Sequence, residues 1–488
     1  MTKHTTLAPL ASLLLLPALA LGTSACDDTV DPVTPGDLVI PDDYDFDSVF
    51  EEGVGSVSFD GQTMRHVLIG AMTREVARIN QGINAGTLTP ADADELFARL
   101  DFYFRFDSES AGDANHDVVT DPAPLQVTWD DISRNKDLVG KLAGNDPSTD
   151  HRVWNDGAFE GWSDTSVAAA GGDISTPTGL VEAFMWTIAS NAYDAFNGIN
   201  RTAPDGTVLP AYVTESGQDL QQLLQKFLLG GIAFSQGVDD YLDDDVDGKG
   251  ILSPNTRDGN NPWTVLEHQW DEGFGYFGAS IHYGRFGTDL LAGAAVLDVN
   301  DDGAIDLLTE VSYGHSTNAA KRDRDTRGGD APTDLVGQAW DAFRTGRAII
   351  TRAAAREDSA LTPDEFAALV EQRDLAAQAW EQAIAATVVH YINDTIDDLN
   401  LRDTDDFSFL DLAKHWGEMK GFALSFQFNR LSPILDRFAE LHALLRDAPT
   451  VPGVATEDEI LAYIEDLLEA RDMLRDAYGF DADNVAVW

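Results

Sequence analysis

The chain has 488 residues and a formal net charge of −52 at pH 7, because 84 acidic residues outnumber 32 lysines and arginines. This charge argues against direct binding to nucleic acid or to an anionic bilayer surface. Cys26 is the single cysteine, so no disulfide can form within the chain. Stability must therefore come from the hydrophobic core or from bound metals.

The first 26 residues have the pattern of an export signal. Lys3 and His4 give a basic start, and residues 7–21 are apolar but too short to span a membrane as a mature helix. Small residues then precede Cys26, which resembles the lipobox of bacterial lipoproteins. We expect residues 1–26 to be a lipoprotein-type signal peptide, with Cys26 acylated and the exported protein anchored on the periplasmic or cell-surface side of a membrane. An ordinary secretory peptide cleaved near Ala25 is the alternative.

The remaining chain predicts a tether followed by an all-α domain. Residues 27–43 are rich in Asp, Pro and Thr, which is typical of an extended linker. From residue 44 to 488 the apolar residues recur with a period near 3.6, and convincing alternating strands are missing. The pattern predicts a large helical bundle with long acidic loops. Helices are expected at residues 63–83, 89–104, 179–199, 218–241, 261–281, 333–355, 362–396, 407–429 and 456–478.

One motif occurs in two helices. The helix that should begin at Asn261 carries Trp-x-Glu-x-x-Gly-aromatic from Trp270, and the motif recurs from Trp416. This repetition predicts a duplicated bundle, with halves at about 44–310 and 311–488 and a site near its centre. His and Glu one turn apart can bind a metal, but they can equally hydrogen-bond within a core. The candidate ligands for iron, zinc or haem are His268, Glu272, His315, His415 and Glu418.

Residues 298–310 form the best-defined chemical motif. Calcium takes six to eight oxygen ligands from alternating loop positions, with glycine at the sixth. Gly303 has that place, whereas position twelve is Thr309 and the carboxylate comes one residue late. The predicted calcium ligands are Asp298, Asn300, Asp302, the Ala304 carbonyl, Asp306 and Glu310; an Asp-rich turn is the alternative. Residues 243–248 match only the first half of such a loop, and residues 113–117 are expected to be a solvated loop.

Several segments together resemble an uncharacterised family of bacterial surface lipoproteins, which is defined as a domain of unknown function. These segments are residues 44–46, 57–62, 267–278, 298–310, 314–322 and 414–429. The chain is also similar, more distantly, to imelysin-like proteins, which are duplicated helical bundles of the cell envelope linked to iron or haem acquisition. Their signature is Gly-x-His-x-x-Glu. His415 and Glu418 match its His-x-x-Glu part, but Ala413 replaces the glycine, and His268 to Glu272 is one residue too wide.

We therefore expect an envelope-anchored ligand-binding protein with structural calcium, which the imelysin-like resemblance links to iron or haem uptake. A calcium-stabilised surface adhesion or scaffold protein is the alternative, because the charge, the calcium loop and the lack of disulfides suit it as well. A metallopeptidase-like hydrolase is less favoured, since neither His-Glu-x-x-His nor Gly-x-Ser-x-Gly occurs. The expected partners are the membrane that holds the lipid anchor and an unidentified surface or uptake partner.

Overall fold

The structure, a computed structural model, describes residues 38–147, 150–168, 173–293 and 296–488. The predicted signal peptide, Cys26 and residues 27–37 of the predicted tether lie outside these described residues. The end of the tether contacts the domain: Asp43 pairs with Arg285, and the Pro41 carbonyl accepts a hydrogen bond from Arg344 at 2.7 Å. Within the described ranges, no helix combines the length and the apolar character that crossing a membrane requires.

Regular secondary structure in the described ranges is helical, which confirms the all-α prediction. Strand-like pairing is limited to isolated bridges such as Asp47 with Gly55. The α-helices are α1 (Asp60–Asn84), α2 (Ala93–Phe104), α3 (Ser108–Ala111), α4 (Trp129–Ile132), α5 (Pro177–Phe196), α6 (Leu220–Leu228), α7 (Val265–Phe277), α8 (Thr288–Gly293), α9 (Gly314–Thr326), α10 (Leu335–Ala354), α11 (Pro363–Asn400), α12 (Phe409–Ala423), α13 (Phe438–Leu445), α14 (Glu457–Tyr478) and α15 (Ala482–Val487).

Two helices begin later than their proline signals predict. The start expected at Asn261 was wrong, because Thr264 is the N-cap of α7 and forms a capping box with Glu267. That box satisfies two backbone N–H groups with side-chain oxygens, at 3.0 and 2.8 Å. The start expected at Thr89 was also wrong, since Asp92 caps α2 by accepting the N–H of Glu95 at 2.9 Å. A carboxylate cap outcompetes the nearby threonine and proline.

The helix predicted over residues 218–241 is regular only in its first part. After α6, the chain widens into π-helical turns at Leu229–Phe234 and Gly237–Tyr241. Glycines in these turns allow close packing: a Cβ on Gly230 would lie 2.1 Å from the Ser425 hydroxyl, and one on Gly237 would lie 2.5 Å from the Trp380 ring. The wider turns therefore let this segment pass tightly against its neighbours. Such turns are frequent near functional sites.

The 38-residue α11 is the axis of the bundle. It packs against α9, α10, α12 and α14, while α6 packs against α1 and α12, and α7 packs against α1 and α10. One large apolar core runs through these helices. Phe277 belongs to the first predicted half and Trp380 to the second, and their ring centroids lie 5.4 Å apart. The two predicted halves therefore share this core.

The repeated motif has the same packing role in both helices. The Trp270 indole N–H donates to the Phe343 carbonyl at 2.9 Å, and the Trp416 indole N–H donates to the Leu445 carbonyl at 3.1 Å. Both tryptophans are fully buried. Each indole therefore links its helix to another helix, α10 or α13, through a backbone carbonyl.

The motif glycines mark close helix crossings. A Cβ on Gly275 would lie 2.9 Å from the Cβ of Gln62 on α1, and a Cβ on Gly421 would lie 2.7 Å from the Cβ of Lys226 on α6. Because only glycine allows such an approach, α7 crosses α1 as α12 crosses α6. Gln62 and Lys226 consequently hold equivalent positions against the two motif helices.

A buried ionic network joins α7 to α10. The fully buried Arg347 donates to Glu267 at 2.6 Å and to Asp271 at 2.8 Å, and it also reaches the Ser56 hydroxyl at 2.8 Å. The Tyr44 hydroxyl donates to Asp271 at 2.8 Å. Every charge in this network has an opposite charge beside it, which is the condition for burying ions without a large penalty.

Candidate functional site

A cavity of about 280 Å³ lies between α1, α6, α9, α11 and α12. Its charged lining residues are Lys226 on α6, Lys321 on α9 and Glu418 on α12. Polar groups from the same helices and from the start of α9 complete much of the wall: His66, Gln225, Tyr313, Thr317, Asn318 and Tyr391. A concave site with a few convergent polar groups is the usual form of a small-molecule site.

Lys226 and Glu418 form an ion pair in this cavity. The Lys226 Nζ lies 3.3 Å from Glu418 Oε1 and donates to Gln225 Oε1 at 2.6 Å, while the Tyr391 hydroxyl donates to Glu418 Oε1 at 2.9 Å. Burial lowers the pKa of Lys226, and the charge of Glu418 opposes that change. Glu418 Oε2 is buried and has no partner among the described residues. Oε1 of Glu418 therefore has two partners already, whereas Oε2 is free to accept a hydrogen bond from a ligand.

Lys321 is the unpaired cation of the site. Its side chain lines the cavity and has no ion-pair or hydrogen-bond partner in the part of the chain that the structure describes. Burial lowers the pKa of Lys321, the nearby charges of Lys226 and Arg322 lower it further, and the charge of Glu418 partly opposes this change. Because this partly exposed ammonium faces the cavity without a carboxylate beside it, it is suited to an anionic partner from outside the chain.

The first turn of α9 contributes backbone polarity to the same wall. Gly314 begins this helix with φ +52°, and the N-cap residue Tyr313 provides no side-chain cap. Gly314 and Thr317 of this first turn line the cavity. Because the first N–H groups of a helix lack intrahelical partners and carry partial positive charge, this end of α9 favours a negative group.

His66 contributes an uncharged polar side chain to the cavity wall. Its Nε2 lies 3.2 Å from the Gly275 carbonyl and 3.1 Å from the Tyr276 carbonyl, so Nε2 carries the proton. Burial lowers the pKa of His66 to about 4, and the imidazole is therefore uncharged at neutral pH. Sequence reasoning missed His66 because nothing in its local pattern separates it from other polar residues of α1.

His315 lies in the core beside this cavity but does not line it. It is fully buried, and neither ring nitrogen has a partner among the described residues. The rings of Phe234, Trp380 and Phe422 lie 5.9 to 6.3 Å from its own. Burial lowers the pKa of His315 to about 3, with a smaller contribution from His66, so this predicted metal or haem candidate is a neutral ring in an aromatic environment.

The predicted pair His268 and Glu272 lies elsewhere. The His268 side chain is 29% exposed, its Nε2 is 3.9 Å from the Glu272 carboxylate, and its ring stacks on Trp263. Glu272 accepts a hydrogen bond from Gln62 at 2.9 Å. This contact corresponds to the Lys226–Glu418 pair, but its donor is uncharged. The side chains of His268, Glu272 and Gln62 do not line the cavity. The two repeated glutamates therefore occupy separate environments.

His415 is turned away from its motif partner Glu418. Its Nδ1 lies 2.8 Å from Asp398 and its Nε2 lies 3.9 Å from Asp394, which in turn is 3.3 Å from His390. Burial opposes protonation of His415, but the hydrogen bond and charge of Asp398 leave its pKa raised. Across the described residues, no three His, Cys, Asp or Glu side chains are grouped so that they could hold a metal ion.

The predicted calcium loop has an ordered backbone. Asp298 accepts the N–H groups of Asp302 and Gly303 at 3.1 and 2.9 Å, as a first-position carboxylate does in a tight acidic loop. Glu310 accepts the N–H groups of Val299 and Asp306, both at 2.8 Å. Although Glu310 comes one residue late in sequence, its carboxylate folds back across both ends of the loop. Ile305 pairs with residues 123–125, which attaches the loop to the domain.

The other acidic loops have different partners. Asp243 and Asp244 pair with Arg430, and Asp243 is also 3.8 Å from Arg373. Asp117 pairs with Arg74 and Arg78, both at 2.6 Å. Arginines thus supply the positive charge that a cation would otherwise bring to these two loops.

Comparisons with known proteins give one finding. Residues 177–289 match the family model of a domain of unknown function (DUF4856). This segment contains α5, α6 with Lys226, and α7 with the first Trp-x-Glu motif. Neither the curated proteins nor the solved structures gave a match. Over residues 177–289, the chain is therefore similar to an uncharacterised family.

Proposed function

We propose that this protein is an exported binding protein that holds a small ligand in the cavity beside Lys226 and Glu418, with structural calcium in the loop at residues 298–310. The observation that carries the proposal is a pair of charged groups in one cavity, the buried and unpartnered Glu418 Oε2 and the partly exposed Lys321 ammonium, which has no ion-pair partner among the described residues. Buried polar groups without partners are uncommon in folded proteins. A bound ligand supplies the partners that both groups lack.

The size of the cavity favours a small molecule. Its volume of about 280 Å³ lies at the lower end of small-molecule sites. The histidines expected to bind iron, zinc or haem do not line it, and His268 and His415 lie in separate environments. The geometry therefore supports a small polar ligand better than iron or haem held between the repeated helices.

The carboxylates of Asp298 and Glu310 support the calcium part of the proposal. Backbone N–H groups of the loop hold both carboxylates, and calcium binding would draw them together with the other predicted ligands, which are not grouped around one point beforehand. Calcium-stabilised scaffolding is the second candidate function, and this loop is the observation that favours it. Export and acylation of Cys26 rest on the pattern of residues 1–26 and form part of the proposal.

Native mass spectrometry of the expressed full chain, purified without added metals or metabolites, tests the proposal. We expect a small-molecule adduct in the wild type and its loss in Asn318→Phe, which fills the cavity. The matched control is Ala443→Phe, which fills a separate cavity next to α13 and should keep the adduct. An adduct that persists in a folded Asn318→Phe variant, or calcium as the sole ligand of the wild type, would favour the scaffold function.

A further inference from the structure

The cavity collects positive charge in a strongly acidic protein. The sequence holds eight lysines within a net charge of −52, and two of them, Lys226 and Lys321, line this one cavity. Glu418 is the single acidic side chain among the described lining residues. The charged side chains of the wall therefore leave an excess of one positive charge, which attracts an anion.

The two lysines have different roles. Lys226 is held by Gln225 and Glu418, so its charge is already compensated within the protein. Lys321 has no such partner among the described residues. The uncapped first turn of α9, which begins at Gly314, adds the positive end of a helix dipole to the same wall. An anionic group between Lys321 and this turn would satisfy both.

Glu418 specifies a second feature of the ligand. Its Oε1 accepts from Tyr391 and pairs with Lys226, whereas its Oε2 is buried and unpartnered. The Glu418 side chain is 7% exposed, so bulk water does not readily compensate this oxygen. A hydrogen-bond donor on the ligand would satisfy it, and a charged or hydroxyl donor would do so most strongly.

From these two unsatisfied groups we infer that the cavity binds a small molecule carrying an anionic oxygen group, a carboxylate or a phosphate, close to an ammonium or hydroxyl donor. The anion contacts Lys321 and the start of α9, and the donor contacts Glu418 Oε2. The inference rests on the proposed function of the same cavity and names the chemical class of its ligand. A volume of about 280 Å³ limits the ligand to a few functional groups.

Isothermal titration of the full chain with two probe series tests the class of ligand and its anionic group. The carboxylate series is L-alanine, propionate without the ammonium, and alaninol without the carboxylate. The phosphate series is O-phosphoethanolamine and ethyl phosphate. We expect the probe that carries both groups to bind about tenfold or more tightly than those lacking one, because each charge-assisted hydrogen bond contributes at least that factor. Preference between L-alanine and O-phosphoethanolamine identifies the anion.

Substitutions at Lys321 and Glu418 test which side chains contact the probes. Lys321→Met should weaken binding of the better two-group probe about tenfold or more, whereas Lys414→Met, which removes an exposed lysine from α12, should leave it unchanged. Proton uptake is a second readout: burial lowers the pKa of both cavity lysines, and a bound anion would raise it again, so binding at alkaline pH should draw a proton from the buffer. Glu418→Gln should weaken probes with an ammonium more than probes without one.

The outcomes separate the inference from the proposed function. If the three carboxylate-series probes bind equally, or if Lys321→Met has no effect, the ligand class is wrong although the cavity still binds small molecules. If no probe binds, the adduct seen by native mass spectrometry decides: an adduct with an oxyanion and a donor supports the inference, and one without them overturns it. If there is neither probe binding nor an adduct, both the inference and the proposed function fail.

Discussion

The Lys226 ammonium lies 3.3 Å from the Glu418 carboxylate on α12, and this contact corresponds to the one that the uncharged Gln62 side chain makes with Glu272 on α7. Both pairs sit where a motif glycine lets two helices cross closely. The two copies of the motif therefore have different polar partners. Only the one with lysine adjoins the cavity described above.

Breaking the charged pair should destabilise the protein strongly. We expect Glu418→Gln to lower the free energy of unfolding by about 3 kcal/mol, because it leaves Lys226 buried without its counter-charge. The double variant Lys226→Met with Glu418→Gln should recover much of this loss. Glu272→Gln is the matched change at the contact between Gln62 and Glu272, and it should lower the free energy of unfolding by about 1 kcal/mol. Urea unfolding of the four proteins measures these differences, and equal losses at both glutamates would contradict this account.

Calcium should stabilise the fold through residues 298–310. Chelation is expected to lower the melting temperature, since an ion at about one hundred times its Kd stabilises the native state by about 2.7 kcal/mol. Asp298→Asn and Glu310→Gln should reduce the difference between calcium-loaded and chelated protein. Asp301→Asn is the matched control, because it removes the same charge at a position outside the predicted ligands, and Asn tolerates its φ of +57°. Calorimetry showing equal effects for Asp301→Asn and Asp298→Asn would argue for general charge repulsion instead.

The helix crossings should not tolerate a methyl group. Gly275→Ala places a Cβ 2.6 Å from that of Phe59, and Gly421→Ala places one 2.7 Å from that of Lys226. We expect each variant to lose about 1–3 kcal/mol from overpacking, in spite of the better helix propensity of alanine. Gly287→Ala, with no atom within 4 Å of the new Cβ, is the control and should be near neutral. Thermal unfolding would refute the shared packing role if both motif variants were as stable as the control.

His315 should make the protein sensitive to acid. Burial lowers its folded pKa to about 3, so below pH 6.5 the unfolded chain takes up a proton that the folded protein refuses. The stability contributed above pH 6.5 is therefore lost progressively as the pH falls towards 3. His315→Leu should remove this term, and at pH 5 its stability relative to pH 7 should fall by about 2 kcal/mol less than that of the wild type.

Urea titrations of His315→Leu and the wild type at several pH values measure this difference. His66, whose pKa is lowered to about 4 by burial, should cause a loss of the same sign in both proteins. Identical pH slopes for both proteins would show that His315 does not titrate as its burial implies. Loss of iron or haem from the same variant would revive the metal assignment.

The ionic network of Arg347 should be essential for folding. Arg347→Met leaves Glu267 and Asp271 buried without their cation, and we expect a loss of about 3–5 kcal/mol. Arg437→Met, which removes a pair with Glu440 that is exposed on both sides, should cost less than about 1 kcal/mol. Chemical denaturation distinguishes them. A small effect at Arg347 would mean that the two carboxyl groups accept protons and remain buried.

Much of the helical framework could be predicted from residues close together in the chain. The capping box of Thr362 with Glu365 correctly marks the start of α11, and the 3.6 period identifies α10 and α14 to within two residues. The predicted start of α7 at Asn261 was wrong, because Thr264, three residues later, is the N-cap and forms a capping box. Helix type and length depend on neighbours within a turn or two, so they can be derived locally.

The site depends on contacts that no local pattern contains. The motif identified Glu418, but its partners Lys226, Lys321 and Tyr391 come from three other helices. The motif also predicted equivalent roles for Glu272 and Glu418, whereas Glu272 contacts Gln62 and Glu418 contacts Lys226. The type and spacing of side chains along one helix follow from its own sequence. Which charges are buried together, and which oxygen stays without a partner, follows only when distant helices pack and exclude water from their shared interior.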